Sequence, residues 1–241
     1  MKNEEYIMNA FIPTELTNGC FFNWDGRCRI LTESFIQRMS EHIEFDDVKV
    51  ILDVGSRDAC QSLEFNRWFP NAKIYAFEPV PSNIEWCQNN VKDVDNIQIV
   101  PKAVTSFNGK TKFYQVVNGN VGASSLYQKT EHWWSKAWNQ HEIEVECVRL
   151  NDWLIENKIE KVDLMWVDAQ GAEKDVFEGM GNYLSDVDGI ATEVELEQLY
   201  QGATLKDDLD RVLVNNFKLV DSKTTPHNAE ADVIFINKKY L

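Results

Sequence analysis

The chain has 241 residues, 39 acidic against 24 basic side chains, a formal charge of −15 and 44% hydrophobic content. That length holds one α/β domain with an N-terminal extension, and so negative a surface repels phosphate backbones and anionic lipid, which argues against nucleic-acid and membrane partners. No stretch is apolar enough to span a bilayer, the start lacks a signal-peptide layout, and five scattered cysteines without a C-x-x-C pair read as the reduced thiols of a cytoplasmic protein.

Residues 1–47 read as an N-terminal arm and a capping helix, with Leu31, Phe35, Ile36, Met39 and Ile43 at helical spacing. Residues 48–241 read as one domain. An apolar run from Val50 ends at Asp53-Val54-Gly55, a helix follows over about 60–69, and a second apolar run over 73–77 ends at Glu78. This is a βαβ unit suited to a nucleoside-like ligand. The glycine lets backbone N–H groups and a helix N-terminus approach an anionic group, and an acid at the second strand tip can accept both hydroxyls of a ribose. A dinucleotide site would show G-x-G-x-x-G, and this loop has only Gly55. A nicotinamide dehydrogenase is thereby disfavoured. A smaller ligand without pyrophosphate fits, with S-adenosylmethionine foremost.

Pro79-Val80-Pro81 leads into a helix with Ile84, Cys87 and Val91 on one face, then a strand over 96–100. Strict alternation over 111–117 and 142–148 predicts two half-exposed antiparallel strands, the arms of an insertion at about 110–148 with a glycine-containing tip. A short helix opens near Asn151 or Asp152 as cap. A strand over 162–167 ends at Asp168, and Gln170-Gly171 turns into a helix finishing near Gly179. The remainder reads as a strand over 189–192 ending in Glu193-Val194-Glu195, a helix over about 204–215, a strand over 217–220, a turn-rich loop over 221–230 and a last strand over 231–237. Ligands of open α/β sheets sit at the carboxyl ends of parallel strands, which puts Asp53, Glu78, Lys102, Ala103, Asp168 and Glu193 on one rim.

From about residue 48 to 237 the chain resembles the FkbM family of S-adenosylmethionine-dependent methyltransferases. The likeness is carried by Asp53-Val54-Gly55, Ala76-Phe77-Glu78-Pro79, Lys102-Ala103-Val104, Ser124-Ser125-Leu126, Leu150-Asn151-Asp152-Trp153, Asp168-Ala169-Gln170-Gly171-Ala172-Glu173 and the terminal strand. The resemblance implies the class I methyltransferase fold: a Rossmann-like α/β domain with a seven-stranded, mostly parallel sheet and helices on both faces, here with an antiparallel hairpin insertion. It also implies methyl transfer to a hydroxyl of a sugar, glycan or small natural product. Arg57 stands where members often carry asparagine, Ala59 where they carry a second glycine, Gln170 where they carry an acid, and Asn216 where a glycine is common.

The cofactor set implied is Asp53, Gly55, Ser56, Arg57, Glu78, Pro79, Lys102, Ala103, Ser125, Asp168 and Gln170. Within it, backbone donors of Gly55 and Ser56 serve the methionine end, Arg57 reaches a carboxylate of cofactor or acceptor, Glu78 holds the ribose, and Lys102 with Ala103 borders the adenine. Asp168 is the first candidate for taking the acceptor's proton, against a plain helix-capping role. His227, in the loop before the last strand, is the second, while His132 and His141 lie in the insertion. Glu173 reads as structural. Glu193, Glu195 and Asp168 form a possible Mg²⁺ cluster, but solvated acids are the preferred reading, so no metal is assigned. Trp133, Trp134 and Trp138 either stack on an acceptor or form a small core. A metal-dependent O-methyltransferase and a non-catalytic cofactor-binding module are the rivals.

Overall fold

The structure, a computed structural model, describes residues 27–117, 120–225 and 228–241. Its main sheet has seven strands in the order β3-β2-β1-β7-β8-β10-β9: β1 (Val50–Val54), β2 (Lys73–Phe77), β3 (Ile97–Val100), β7 (Leu164–Val167), β8 (Gly189–Glu195), β9 (Phe217–Thr224) and β10 (Glu230–Asn237). All adjacent pairs are parallel except those made by β10, which runs antiparallel to β8 and β9. From β1 the chain moves outward through β2 to β3, then returns to β7 on the other side of β1. The strand order therefore reverses between β1 and β7, where open sheets part to form a crevice.

Both faces of the sheet are covered, so its central strands are mostly apolar rather than alternating with polar residues. Successive side chains still divide between two cores. Ile51, Ile74, Leu164 and Trp166 point to the face covered by α1 (Arg27–Ser40), α2 (Cys60–Trp68) and α3 (Pro81–Val91). Leu52, Val54, Tyr75, Phe77, Met165 and Val167 point to the face covered by α4 (Leu150–Glu156), α5 (Glu173–Gly179) and α6 (Lys206–Leu213). The apolar stripe of α1 is part of the first core: Phe35, Ile36, Met39 and Ile43 are buried, and Phe35 meets Phe65 and Trp166 edge-on at 6.0 and 6.2 Å. On the opposite face Trp153 packs edge-on to Tyr75 and Phe77, each with centroids 5.0 Å away.

The insertion is a second sheet of three strands in the order β4-β6-β5: β4 (Ala103–Thr105), β6 (Gln140–Arg149) and β5 (Gly109–Val116). The antiparallel β5–β6 pair runs in register from Gly109↔Cys147 to Val116↔Gln140, as the alternation predicts. Strand β4, which pairs parallel with β6, was not expected; three residues are too short a run for periodicity to register.

Three further expectations are corrected. Helix α4 is capped at Arg149, not at Asn151 or Asp152, because Asn108 accepts the Arg149 N–H at 2.9 Å and donates to Asp152 at 2.7 Å. Strand β9 extends to Thr224, so much of the expected loop over 221–230 is a polar edge strand. Strand β8 extends through Glu195, which lies opposite Glu230, and Glu193 lies opposite Asp232. Glu195 is consequently buried rather than solvated.

Candidate active site

A cleft enclosing ≈530 Å³, open solvent at its mouth included, lies at the point where the strand order reverses. The end of β1 contributes Val54, Gly55 and Arg57, and the end of β2 contributes Phe77, Glu78 and Pro79. Lys102 and Ala103 follow β3, and Asp168 and Ala169 follow β7. The insertion closes the remaining side with Phe113, Val121, Gly122, Ser124 and Leu126. Its wall joins apolar side chains (Val54, Phe77, Phe113, Leu126) to a few polar and charged ones (Arg57, Glu78, Asn83, Asp168), the composition of a small-ligand site.

Gly55 is required where it stands. Its φ is +84°, and a Cβ there would lie 1.9 Å from the Asp168 carbonyl oxygen. The glycine thus lets the β1 loop cross the end of β7, bringing Arg57 and Asp168 to the same cleft. Arg57 and Ala59 also have positive φ, at 54° and 62°, as does Gln170 at 50°. The departures at Arg57 and Ala59 therefore fall on backbone that asparagine and glycine adopt most readily, and the turn is kept without them.

Glu78 is the best-held carboxylate lining the cleft. Its Oε2 accepts the Arg57 N–H at 2.8 Å, and its Oε1 accepts from the Val80 N–H at 2.8 Å and from the Asn83 amide at 3.3 Å. Burial outweighs these donors and pushes its pKa up to about 7. Asn83, five residues beyond Glu78 in the first turn of α3, also lines the cleft. Sequence reasoning missed it, although its spacing from Glu78 was available as a signal. Phe113, Val121, Gly122 and Leu126 were missed as well, since the fold of the insertion decides which of its residues face the cleft.

Several expected cofactor contacts lie behind the lining. Asp53 is fully buried and accepts hydrogen bonds from Ser56 at 2.8 Å and Ser62 at 2.5 Å, bracing the loop from below. The N–H groups of Gly55 and Ser56 both donate to the Phe77 carbonyl, at 3.1 and 3.0 Å, and are not the free donors expected of them. Ser125 donates to the Gln170 backbone carbonyl at 2.6 Å, so two of the motifs read from the sequence meet here and tie the insertion to the β7–α5 loop. Asp53, Ser56, Ser125 and Gln170 thus support the cleft, whereas Gly55, Arg57, Glu78, Pro79, Lys102, Ala103 and Asp168 line it. His227 lies outside the described residues.

Asp168 sits at the β7 end of the cleft. Burial raises its pKa, against an amide donor from Gln170 and the facing charge of Arg57. The Gln170 side chain reaches both Asp168 Oδ1, at 2.6 Å, and Glu193 Oε2, at 2.7 Å. An amide donor held between these two carboxylates takes the place a shared Mg²⁺ would need, and the residues do not fit that ion. Among the described residues no group of three or more His, Cys, Asp or Glu is disposed to hold a metal. Glu173 is buried beneath the same loop, its Oε1 accepting from the N–H groups of Ala169 at 3.0 Å and Gly171 at 3.3 Å; burial lifts its pKa to about 8. In the insertion, Trp138 is buried beside Tyr200, whereas Trp133 and Trp134 are exposed and His132 pairs with Glu197 at 2.7 Å. Trp138 thus takes the small-core role, whereas Trp133 and Trp134 lie on the surface and do not line the cleft.

A seven-stranded sheet with an antiparallel β10 between β8 and β9, and a cleft at the strand-order reversal with an acid at the β2 tip, is the architecture of a class I methyltransferase. The methyltransferase FkbM domain family matches residues 50–219, and the chain belongs to that family. It is an S-adenosylmethionine-dependent methyltransferase. The chain is 34% identical over 199 residues to the 2-O-methyltransferase NoeI of Sinorhizobium fredii, a match covering 79% of this chain and 80% of that protein. It is 28% identical over 179 residues to Methyltransferase 1 of Beauveria bassiana, covering 67% and 71%. The ribosomal protein L11 methylase of Lactobacillus delbrueckii subsp. bulgaricus shares the fold, with a TM-score of 0.50, 10% identity and coverage of 88% of this chain and 79% of that one.

Proposed function

We propose that the protein transfers the methyl group of S-adenosylmethionine to a hydroxyl of a sugar, a glycan or a small natural product, with Asp168 taking the hydroxyl proton. The observation that carries this reading is the position of Asp168: a carboxylate on the wall of the cleft, at the β7 strand end, in a chain 34% identical to a 2-O-methyltransferase.

S-adenosylmethionine, when bound, supplies an activated methyl group whose sulfonium leaves as a neutral thioether. The chain's own residues position the reactants and move the proton. Glu78, fixed by three donors, is placed to accept the ribose hydroxyls, and Lys102 and Ala103 border the base. The Arg57 guanidinium is the cleft's match for the cofactor's carboxylate. Asp168 is partly screened by Arg57 and ionises within a wall that also carries the apolar side chains of Val54, Phe113 and Leu126. A carboxylate there accepts a proton more readily than one in water, because burial disfavours its charge. No step uses a metal, and the Gln170 amide between Asp168 and Glu193 supports that choice.

The net charge of −15 supports small or glycan acceptors over nucleic acid or anionic membrane. Cys60, Cys87 and Cys147 are buried thiols outside any disulfide, which suits the reducing cytoplasm. The test is incubation with methyl-labelled S-adenosylmethionine and a panel of free sugars, methyl glycosides and small hydroxylated natural products. Label transferred to a hydroxyl, and lost in Asp168→Asn, is the expected result. Transfer to a nitrogen or carbon acceptor, or undiminished transfer by Asp168→Asn, would overturn it.

A further inference from the structure

We propose that Gln170 is a positioning residue that joins Asp168 and Glu193 into one proton-sharing pair, in which Glu193 keeps a proton and Asp168 carries the single charge that receives the acceptor's hydroxyl proton. The inference rests on the proposed role of Asp168 and extends it to two residues that do not line the cleft.

The geometry starts with the amide. Both N–H bonds of the Gln170 side chain are committed to carboxylates, one to Asp168 Oδ1 at 2.6 Å and one to Glu193 Oε2 at 2.7 Å. Its carbonyl oxygen accepts from the Tyr200 hydroxyl at 2.6 Å, and that hydroxyl also lies 3.0 Å from the Ala123 carbonyl. Tyr200 is fully buried, so it fixes which end of the amide faces the acids. The Gln170 backbone is clamped too, by the Ser125 hydroxyl on its carbonyl at 2.6 Å. A side chain with all three polar hydrogen-bonding positions filled holds two carboxylates at one nitrogen.

Two carboxylates so placed do not both ionise readily. The surroundings decide which of them keeps the charge. Asp168 faces Arg57 across the cleft. The charges acting most strongly on Glu193 are acids: Asp168 and Glu173 from the β7–α5 segment, Glu230 from β10, and Asp232, which lies opposite it in the β8–β10 register. The Lys223 charge acts on Asp232. Charge therefore settles on Asp168, and the proton on Glu193. In the transfer step the acceptor O–H bond breaks, its proton passes to the Asp168 carboxylate, and the oxygen keeps the electron pair that forms the new O–CH₃ bond. The pair then holds two protons and returns one to water.

The experiment is a pH titration of the full chain labelled with ¹³C-carboxyl aspartate and glutamate, assigned with Asp168→Asn and Glu193→Gln. In the wild type, the carbons of Asp168 and Glu193 are expected to respond together over two separated steps. In Gln170→Leu, which has no donor, the lower step is expected to rise by about one pH unit, a tenfold gain in proton affinity. The acidic limb of kcat, on any acceptor that turns over, is expected to move up by the same amount with the KM for S-adenosylmethionine unchanged. If Gln170→Leu does not fold, Gln170→Glu keeps the shape without the donors and is expected to raise the step further. Two independent single-step titrations in the wild type would overturn the pairing, as would an unmoved lower step in a folded variant. A wild type that shows the paired titration but methylates no hydroxyl would instead overturn the proposed function, and with it the catalytic use of the pair.

Discussion

Gly55→Ala is the substitution that most directly perturbs the crossing of the β1 loop over β7. The added Cβ would stand 1.9 Å from the Asp168 carbonyl oxygen, and the residue has a φ of +84°. An alanine held at positive φ costs about 1–2 kcal/mol. The clash cannot be relieved by a side-chain rotation, since the opposing atom is backbone. The end of β7 must withdraw, which strains or breaks the Asp168 N–H to Val54 carbonyl bond of 2.9 Å, at about 1 kcal/mol. Residual overpacking adds about 1–2 kcal/mol, for a loss of roughly 3–5 kcal/mol. Urea unfolding followed by circular dichroism reads the stability, and calorimetry reads S-adenosylmethionine binding, which should weaken as Arg57 and Asp168 move apart. A loss below about 1 kcal/mol with unchanged binding would refute the claim that this glycine sets the cleft.

Trp153→Ala removes a buried indole from between Tyr75 and Phe77 and is expected to cost about 3–5 kcal/mol by the same urea assay. Trp133→Ala, at an exposed ring, should stay within about 0.5 kcal/mol; a large loss would show that the ring is part of a core. Stability should fall as pH rises. Burial raises Asp53 and Asp232 to about 6, Glu78 and Glu230 to about 7, Glu173 to about 8 and Glu195 to about 9. Unfolded carboxylates titrate near 4, so between about pH 5 and 9 the folded chain binds more protons than the unfolded one, and rising pH favours unfolding. Thermal melts should therefore give a Tm near pH 6 above that at pH 9. A Tm that is flat or rises over this range would show that these acids are not buried as described.

The sheet was legible in the sequence because its central strands are apolar runs closed by an acid or a glycine, as at Asp53-Val54-Gly55 and Phe77-Glu78. The β5–β6 pair was legible because one face of each strand is wet, leaving strict alternation. Elements defined by distant partners were less visible. Strand β4 has three residues and exists through β6. The outer half of β9 is polar and is held by β10, and the last residues of β8 are acids that a local reading leaves in solvent. The site divided in the same way. Strand-end position found Glu78, Lys102, Ala103 and Asp168, since the rule locating them is topological. It could not separate lining from support: Asp53, Ser56 and Ser125 face partners contributed by other loops, and Asn83 and Gly122 enter the cleft through the geometry of α3 and the insertion. Gln170 belongs to the Asp168-Ala169-Gln170-Gly171 motif, but its hold on Glu193 and its contact with Tyr200 join residues up to 30 positions apart.

The proposed activity requires that the cleft between β1, β2 and β7 hold S-adenosylmethionine with Glu78 on its ribose. Its most direct test is calorimetric titration of the wild type and of folded Glu78→Ala with S-adenosylmethionine, S-adenosylhomocysteine and NAD. The wild type is expected to bind both adenosyl ligands and not NAD, and Glu78→Ala to bind them at least about tenfold more weakly, the scale of a lost hydrogen bond to a charged group. Equal affinity of Glu78→Ala and the wild type would contradict the placement of the ribose, and a folded wild type that binds neither adenosyl ligand would contradict the site itself.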